Sequence, residues 1–220
     1  MCSDGVVMDA VDQILAALPE PRTDRRVVIA IAGPPAAGKS TLAESLLTRL
    51  GSRAGVLGMD AFHYDDAILH DHGTRSRKGA PHTFDVSGYG ALLKRLREEV
   101  GHDIAVPVFD RSLELTRNSA QIFPGGADTV ITEGNWLLLD RPQWRDLHVL
   151  FDLTVMLDVA ESVIEARTLD RWASFGFDAA EARRRADEND LPNAATVRNE
   201  SVPAHLTMQM AGESLSLIHI

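Results

Sequence analysis

Residues 33–41 read Gly33-Pro34-Pro35-Ala36-Ala37-Gly38-Lys39-Ser40-Thr41 and satisfy G-x-x-x-x-G-K-[ST]. Glycines at both ends of the turn, Gly33 and Gly38, let the main chain wrap tightly and aim successive N–H groups inward as an anion nest. A helix starting directly afterwards adds its positive end to the same spot. Lys39 can then reach the β- and γ-phosphates of a nucleotide, and the Ser40 hydroxyl can ligate Mg²⁺. Four specified positions would match by chance in a chain of this length in less than about one sequence in a hundred. The chain carries lysine only at Lys39, Lys78 and Lys94, which makes an accidental lysine at the motif position rarer still.

Other residues could complete such a site. Asp60 follows the apolar run Ala54–Met59, and Glu133 closes the run Thr129–Thr132. In open α/β sheets, ligands bind outside the carboxyl ends of the strands. A carboxylate after a strand beside the loop-bearing one is the pattern of the magnesium-side acid in P-loop enzymes. Asp152 and Asp158 compete for that role. Glu133 is preferred because Gly134 would let a ligand approach, whereas Asp158 suits the cap of the next helix. Arg167 and Arg171 lie four apart on an expected helix and suit phosphate clamping, with surface pairing to Glu161, Glu165 or Asp170 as the ordinary alternative. Arg75, Arg77 and Lys78 form a basic cluster in a long loop, equally readable as an anion site or a solvated surface. His70 and His72 lack a third partner for a metal. Arg183-Arg184-Arg185 reads as a solvated face.

The elements that position these residues follow from periodicity. Val27–Ala32 is a continuous apolar run, as in a strand covered on both faces. Leu42, Leu46 and Leu50 give a helix after the loop. An earlier amphipathic helix spans about residues 8–18, stopped by Pro19 and Pro21. Residues 62–84 read as a long loop. Asp85 is expected to cap a surface helix ending near Gly101. Ile104–Phe109 is expected as a strand, with polar residues through Arg117 at its carboxyl end, and residues 148–158 as another strand. A helix from about Ala160, a second charged helix, a short helix from Leu191 and a strand within 204–210 complete the pattern.

With 220 residues, 45% of them apolar, the chain can bury one substantial core. A net charge of −10 argues against a broad nucleic-acid or membrane surface. The lone Cys2 cannot form an internal disulfide, and acidic residues near the start do not suit a signal peptide. A cytoplasmic protein acting on a small molecule is expected, with no nucleic-acid or membrane partner and a homodimer left open. The ending Leu215-Ser216-Leu217-Ile218-His219-Ile220 fits no preceding pattern and reads as translated adapter sequence, so residues 213–220 are expected to be a non-native tail on a single domain spanning 1–212.

The loop, Met59-Asp60-Ala61-Phe62-His63, Arg77-Lys78-Gly79-Ala80-Pro81, Phe109-Asp110-Arg111 and Glu133-Gly134-Asn135-Trp136-Leu137-Leu138 together resemble the uridine kinase, phosphoribulokinase and pantothenate kinase superfamily. The resemblance is nearest to bacterial fructose transport system kinase-like proteins of the nucleoside/nucleotide kinase family. It implies an α/β P-loop three-layer sandwich with a mainly parallel sheet and a helical lid at about 160–190, ATP as donor, Mg²⁺, and transfer to a hydroxyl of a small molecule. By the same resemblance Asp60 acts as base or orients the acceptor, Arg167 and Arg171 are lid arginines, and His63, Arg77, Lys78, Phe109, Asp110 and Arg111 lie on the acceptor side. Uridine kinases have a Tyr-Asp-aromatic segment and a histidine where this chain has Phe109-Asp110-Arg111-Ser112-Leu113, so uridine is disfavoured. Two alternatives stand beside a metabolite kinase. A nucleotide-dependent switch would need no acceptor, although no N-K-x-D base-reading motif is present. A nucleoside monophosphate kinase would need an acceptor-phosphate site, for which Arg75, Arg77 and Lys78 are the candidates.

Overall fold

The computed structural model describes residues 2–210. Its centre is β1 (Val27–Ala32), buried at every position. This all-apolar strand is stable only where neighbours pair with both edges and helices cover both faces. The neighbours are β5 (Thr129–Gly134) and β6 (Leu153–Asp158), both parallel to it. With β2 (Ala54–Gly58) and β7 (Leu206–Gln209) they form a five-stranded parallel sheet in the order β2-β5-β1-β6-β7. Register sets Ile31 opposite Glu133 and Ala32 opposite Gly134, so the phosphate loop and the end of β5 emerge side by side.

One face of the sheet is covered by α1 (Cys2–Ala17) and α2 (Lys39–Leu50), together with parts of α5 (Glu161–Ser174) and α7 (Leu191–Glu200). The other is covered by α4 (Val86–Glu98) and the segment around Trp136, Trp144 and Leu147. Residues 160–190, the expected lid, form α5, α6 (Ala179–Arg185) and a five-residue π-helical turn, Ala186–Asp190. The expected non-native tail at 213–220 lies outside the described residues.

Several expectations need correction. The first helix begins well before residue 8. The expected strand through Met59 stops at Gly58, and Met59–Phe62 forms a 3₁₀ turn. The 62–84 loop contains α3 (Asp66–Asp71), whose N-cap Asp65 accepts from the Ala67 N–H. Asp85 caps α4 as expected, accepting from the Gly88 N–H, but α4 ends at Glu98 and Gly101 (φ +86°) turns the chain beyond it. Residues 145–150 are 3₁₀ helix, and the following strand starts only at Leu153. Asp158 caps nothing: α5 starts from Ala160 without a side-chain bond, and Asp158 instead accepts from Gln209 Nε2 at 2.6 Å.

The largest departure is a hairpin. β3 (Ile104–Asp110) pairs antiparallel with β4 (Leu115–Phe123) outside the main sheet. β4 gives little apolar signal because, of its nine residues, only Phe123 is buried. A register shift between Val106 and Val108 brackets Pro107, which has no N–H for the ladder. The hairpin carries Phe109, Asp110 and Arg111 toward the carboxyl edge of the sheet.

Candidate active site

The phosphate loop owes its path to local backbone demands. Gly38 takes φ +95°, and Ala36 adopts a left-handed φ of +60° despite its Cβ. At Gly33 a Cβ would stand 3.1 Å from the Leu157 Cβ and 3.2 Å from its carbonyl oxygen, so a side chain there would require β6 to give by a few tenths of an ångström. Gly38 offers no side chain to cap α2, which leaves the first-turn amides to an anion. Lys39 is buried, its Nζ donating to the Pro34 carbonyl oxygen at 2.8 Å and to Asn135 Oδ1 at 2.7 Å. Desolvation pushes its pKa down to about 8, against the opposing pull of Glu133 and Asp60.

Beside this ammonium stand two carboxylates and a hydroxyl. Ser40 Oγ donates to Glu133 Oε1 at 3.1 Å. Adjacent ligands of an octahedral Mg²⁺ lie about 2.9 Å apart, given Mg–O distances of about 2.05 Å. These two hard oxygens therefore fit that ion. Burial raises the Glu133 pKa, and the neighbouring Asp60 charge raises it further, a cost that a cation would relieve. Burial acts the same way on Asp60, but His63, Arg111 and Lys39 outweigh it and hold that carboxyl below its ordinary value. Arg111 Nη2 donates to Asp60 Oδ2 at 3.0 Å, and the Asp60 side chain is 29% exposed toward the cleft.

Beyond Asp60, the His63 ring packs against Phe84 and Phe109, with centroids 4.1 and 5.1 Å away. Its Nδ1 is 2.7 Å from the Asp60 carbonyl oxygen, and burial lowers its pKa despite Asp60. The other sequence candidates on this side are held by protein groups. Lys78 Nζ donates to Asp66 at 2.8 Å and to the Glu114 carbonyl oxygen at 2.7 Å, with Phe109 beneath it. Arg75 pairs with Asp66 at 2.7 Å. Arg77 donates to the Glu188 carbonyl oxygen and to Asn193 Oδ1 at 3.4 Å. Asp110 turns back into its own hairpin, accepting from Ser112 Oγ at 2.6 Å and from Arg117 at 3.2 Å.

The two lid arginines diverge. Arg167 Nη1 reaches the Ala36 carbonyl oxygen of the phosphate loop at 3.4 Å. Arg171 Nη2 instead meets Asp190 Oδ1 at 2.7 Å, a buried partner 19 positions on and none of the three acids that spacing suggested. Arg183 and Arg184 pair with surface carboxylates on a solvated face as expected, whereas Arg185 pairs with Glu181 and packs its guanidinium 4.2 Å from the Phe177 ring centre and 4.9 Å from that of Trp172. His70 and His72 stand at the end of α3, and among the described residues no cluster of three metal-ligating side chains occurs.

Gly134 also has a packing reason: a Cβ there would fall 2.5 Å from the Met59 Cβ. Asn135, which accepts from the Lys39 ammonium, takes no role from the sequence although it lies in the Glu133–Leu138 stretch. Its place directly after the strand that runs beside β1 was the available signal. Of the competing acids, Asp152 binds Arg25, Arg97 and the Val28 N–H at the opposite end of the sheet.

Comparison with known proteins fits this geometry. The model of the phosphoribulokinase / uridine kinase family matches residues 28–180, from β1 through α5 to the start of α6. The chain belongs to that family. Members of this kinase family act on small metabolites, bind ATP and use Mg²⁺. The putative fructose transport system kinase of Silicibacter sp. TM1040 is similar at 36% identity and a TM-score of 0.85, over 91% of this chain and 98% of that one. The putative uridine kinase C227.14 of Schizosaccharomyces pombe is 32% identical over 197 residues, 84% of this chain and 83% of the relative. The uncharacterized protein YggC of Escherichia coli K12 is 33% identical over 205 residues, 91% of this chain and 84% of its own length. This P-loop kinase has no helix, among the described residues, long and apolar enough to cross a membrane.

Proposed function

We propose that this family member transfers the γ-phosphate of ATP to an alcohol of a small metabolite. The observation that carries this reading is the convergence of Lys39, Ser40, Glu133 and Asp60 at one edge of the sheet. Asp60 sits beyond the phosphate-holding groups, and His63, Arg111 and Lys39 together hold its carboxyl below the ordinary value against burial. Charge in a loose phosphoryl-transfer transition state spreads over the equatorial oxygens, so positioning and electrostatics supply most of the rate.

The loop amides and Lys39 hold the β- and γ-phosphates, and Arg167 stands over the loop from the lid side. Ser40 and Glu133 would hold Mg²⁺, which would supply charge neutralisation to the phosphates. The acceptor hydroxyl displaces Arg111 from Asp60 and gives its proton to that carboxylate. Its oxygen bonds to the γ-phosphorus as the bond to the ADP oxygen breaks. Water left beside the γ-phosphate would compete, so the lid must close over the acceptor.

The test is a panel of sugars, nucleosides, pantothenate and vitamin-like alcohols incubated with ATP and Mg²⁺, with ADP release as readout. One class should stimulate release well above the metabolite-free rate. Nucleotide binding with hydrolysis indifferent to every metabolite would favour a nucleotide-dependent switch. Stimulation by nucleoside monophosphates alone would indicate a monophosphate kinase.

A further inference from the structure

The five-residue π-helical turn between α6 and α7 touches both halves of the site. Asp190, its last residue, is 6% exposed. One of its carboxylate oxygens takes Arg171 Nη2 at 2.7 Å, and the other takes Trp172 Nε1 at 2.7 Å. The Arg171 guanidinium also lies 5.3 Å from the Trp172 ring centre. On the opposite side of the same turn, Asn189 Nδ2 donates to the Lys78 carbonyl oxygen at 2.8 Å, and the Glu188 carbonyl oxygen accepts from Arg77. A single wide turn of helix thus binds a lid arginine and the loop preceding Gly79. π-Helical turns of this kind lie frequently at functional sites.

Arg171 lies one helical turn along α5 from Arg167, whose Nη1 reaches the Ala36 carbonyl oxygen of the phosphate loop at 3.4 Å. A bidentate cation facing a triphosphate binds it in preference to one carboxylate, because the phosphate offers more charge and more oxygens. Resting on the kinase reading above, we propose that Asp190 is a positioning residue that parks Arg171 until the nucleotide's terminal phosphate takes the guanidinium over. Releasing Arg171 breaks the Asp190 contact and frees the turn that holds the Lys78 carbonyl. Phosphate occupancy is thereby coupled to the acceptor loop. The carboxylate competes with the phosphate for one cation, so its charge weakens nucleotide affinity while it suppresses lid closure on an empty acceptor site.

The experiment uses the full chain and Mg-ATP, with a non-hydrolysable ATP analogue and Mg-ADP in parallel. Trp172 is the reporter, its signal isolated by subtracting the emission of Trp172→Phe, since Trp136 and Trp144 are buried in the core. Mg-ATP and the analogue should shift Trp172 emission, and Mg-ADP should shift it much less. Asp190→Asn keeps the outline of the side chain but removes the charge and leaves a single acceptor oxygen for the two donors Arg171 Nη2 and Trp172 Nε1. It should bind Mg-ATP about 3–10-fold more tightly, in line with a modest charge-assisted competition, and should hydrolyse ATP faster without acceptor. An unchanged or weaker affinity in a folded Asp190→Asn protein would overturn the proposal while leaving the kinase reading intact. If that variant does not fold, the wild-type reporter decides: equal Trp172 shifts with ATP and ADP, or none with either despite calorimetric binding, overturn it. Failure of the wild-type chain to bind Mg-ATP at all overturns the kinase reading and this proposal together.

Discussion

The phosphate-holding edge and the acceptor-facing edge of this molecule are built by different means. The first is local and backbone-driven: Gly33 through Ser40 are contiguous, β1 and β5 are adjacent and parallel, and Glu133 reaches Ser40 because register sets it there. The second is assembled from side chains far apart in sequence. Arg111 crosses 51 positions to Asp60, and Arg77 crosses 111 to Glu188. A phosphate can be held by main-chain amides whatever the side chains, whereas the far edge depends on which side chains the hairpin and the 160–190 helices supply.

Substitutions at the two edges should separate these contributions. The largest effect is expected at the acceptor edge: Asp60→Asn should lower turnover by ~10²–10⁴ while sparing Mg-ATP affinity, measured by paired kinetics and calorimetry. Full activity in that variant would remove Asp60 from the mechanism. Lys39→Ala tests the donor edge and should cost ~10²–10³ in Mg-ATP affinity, the scale for removing a buried hydrogen-bonded charge. Gly134→Ala tests the frame that joins them. Its new Cβ would lie 2.5 Å from the Met59 Cβ, so overpacking of about 1–3 kcal/mol should appear in chemical denaturation.

The smallest effect concerns pH. Arg111 helps hold the Asp60 pKa down, and the carboxylate form is the base, so activity is lost as pH falls through that pKa. Arg111→Ala should move the acidic limb of the kcat/KM profile to higher pH. A limb that does not move would mean that another group titrates there.

The same contrast explains what could be read from the chain alone. Strand β1, the loop, Asp60 and Glu133 announce themselves through contiguous apolar runs ending in glycine or a carboxylate. The β3–β4 hairpin does not, because most of β4 faces solvent and carries Arg117, Asn118, Ser119 and Gln121, leaving no alternation to detect. The Arg171–Asp190 pair was out of reach because spacing on one helix cannot show a partner on a later turn. Gly134 reads in the sequence as room for a ligand, and only the packed structure shows that Met59 lies against it.

The central claim is that a main-chain cradle and one buried ammonium hold a magnesium-bound triphosphate. Calorimetric titration of the purified chain with Mg-ATP tests it most directly. The account predicts saturable heat in the wild-type protein and its loss in Lys39→Ala over the same concentration range. An absence of binding heat up to millimolar Mg-ATP, or an undiminished titration in Lys39→Ala, would contradict it.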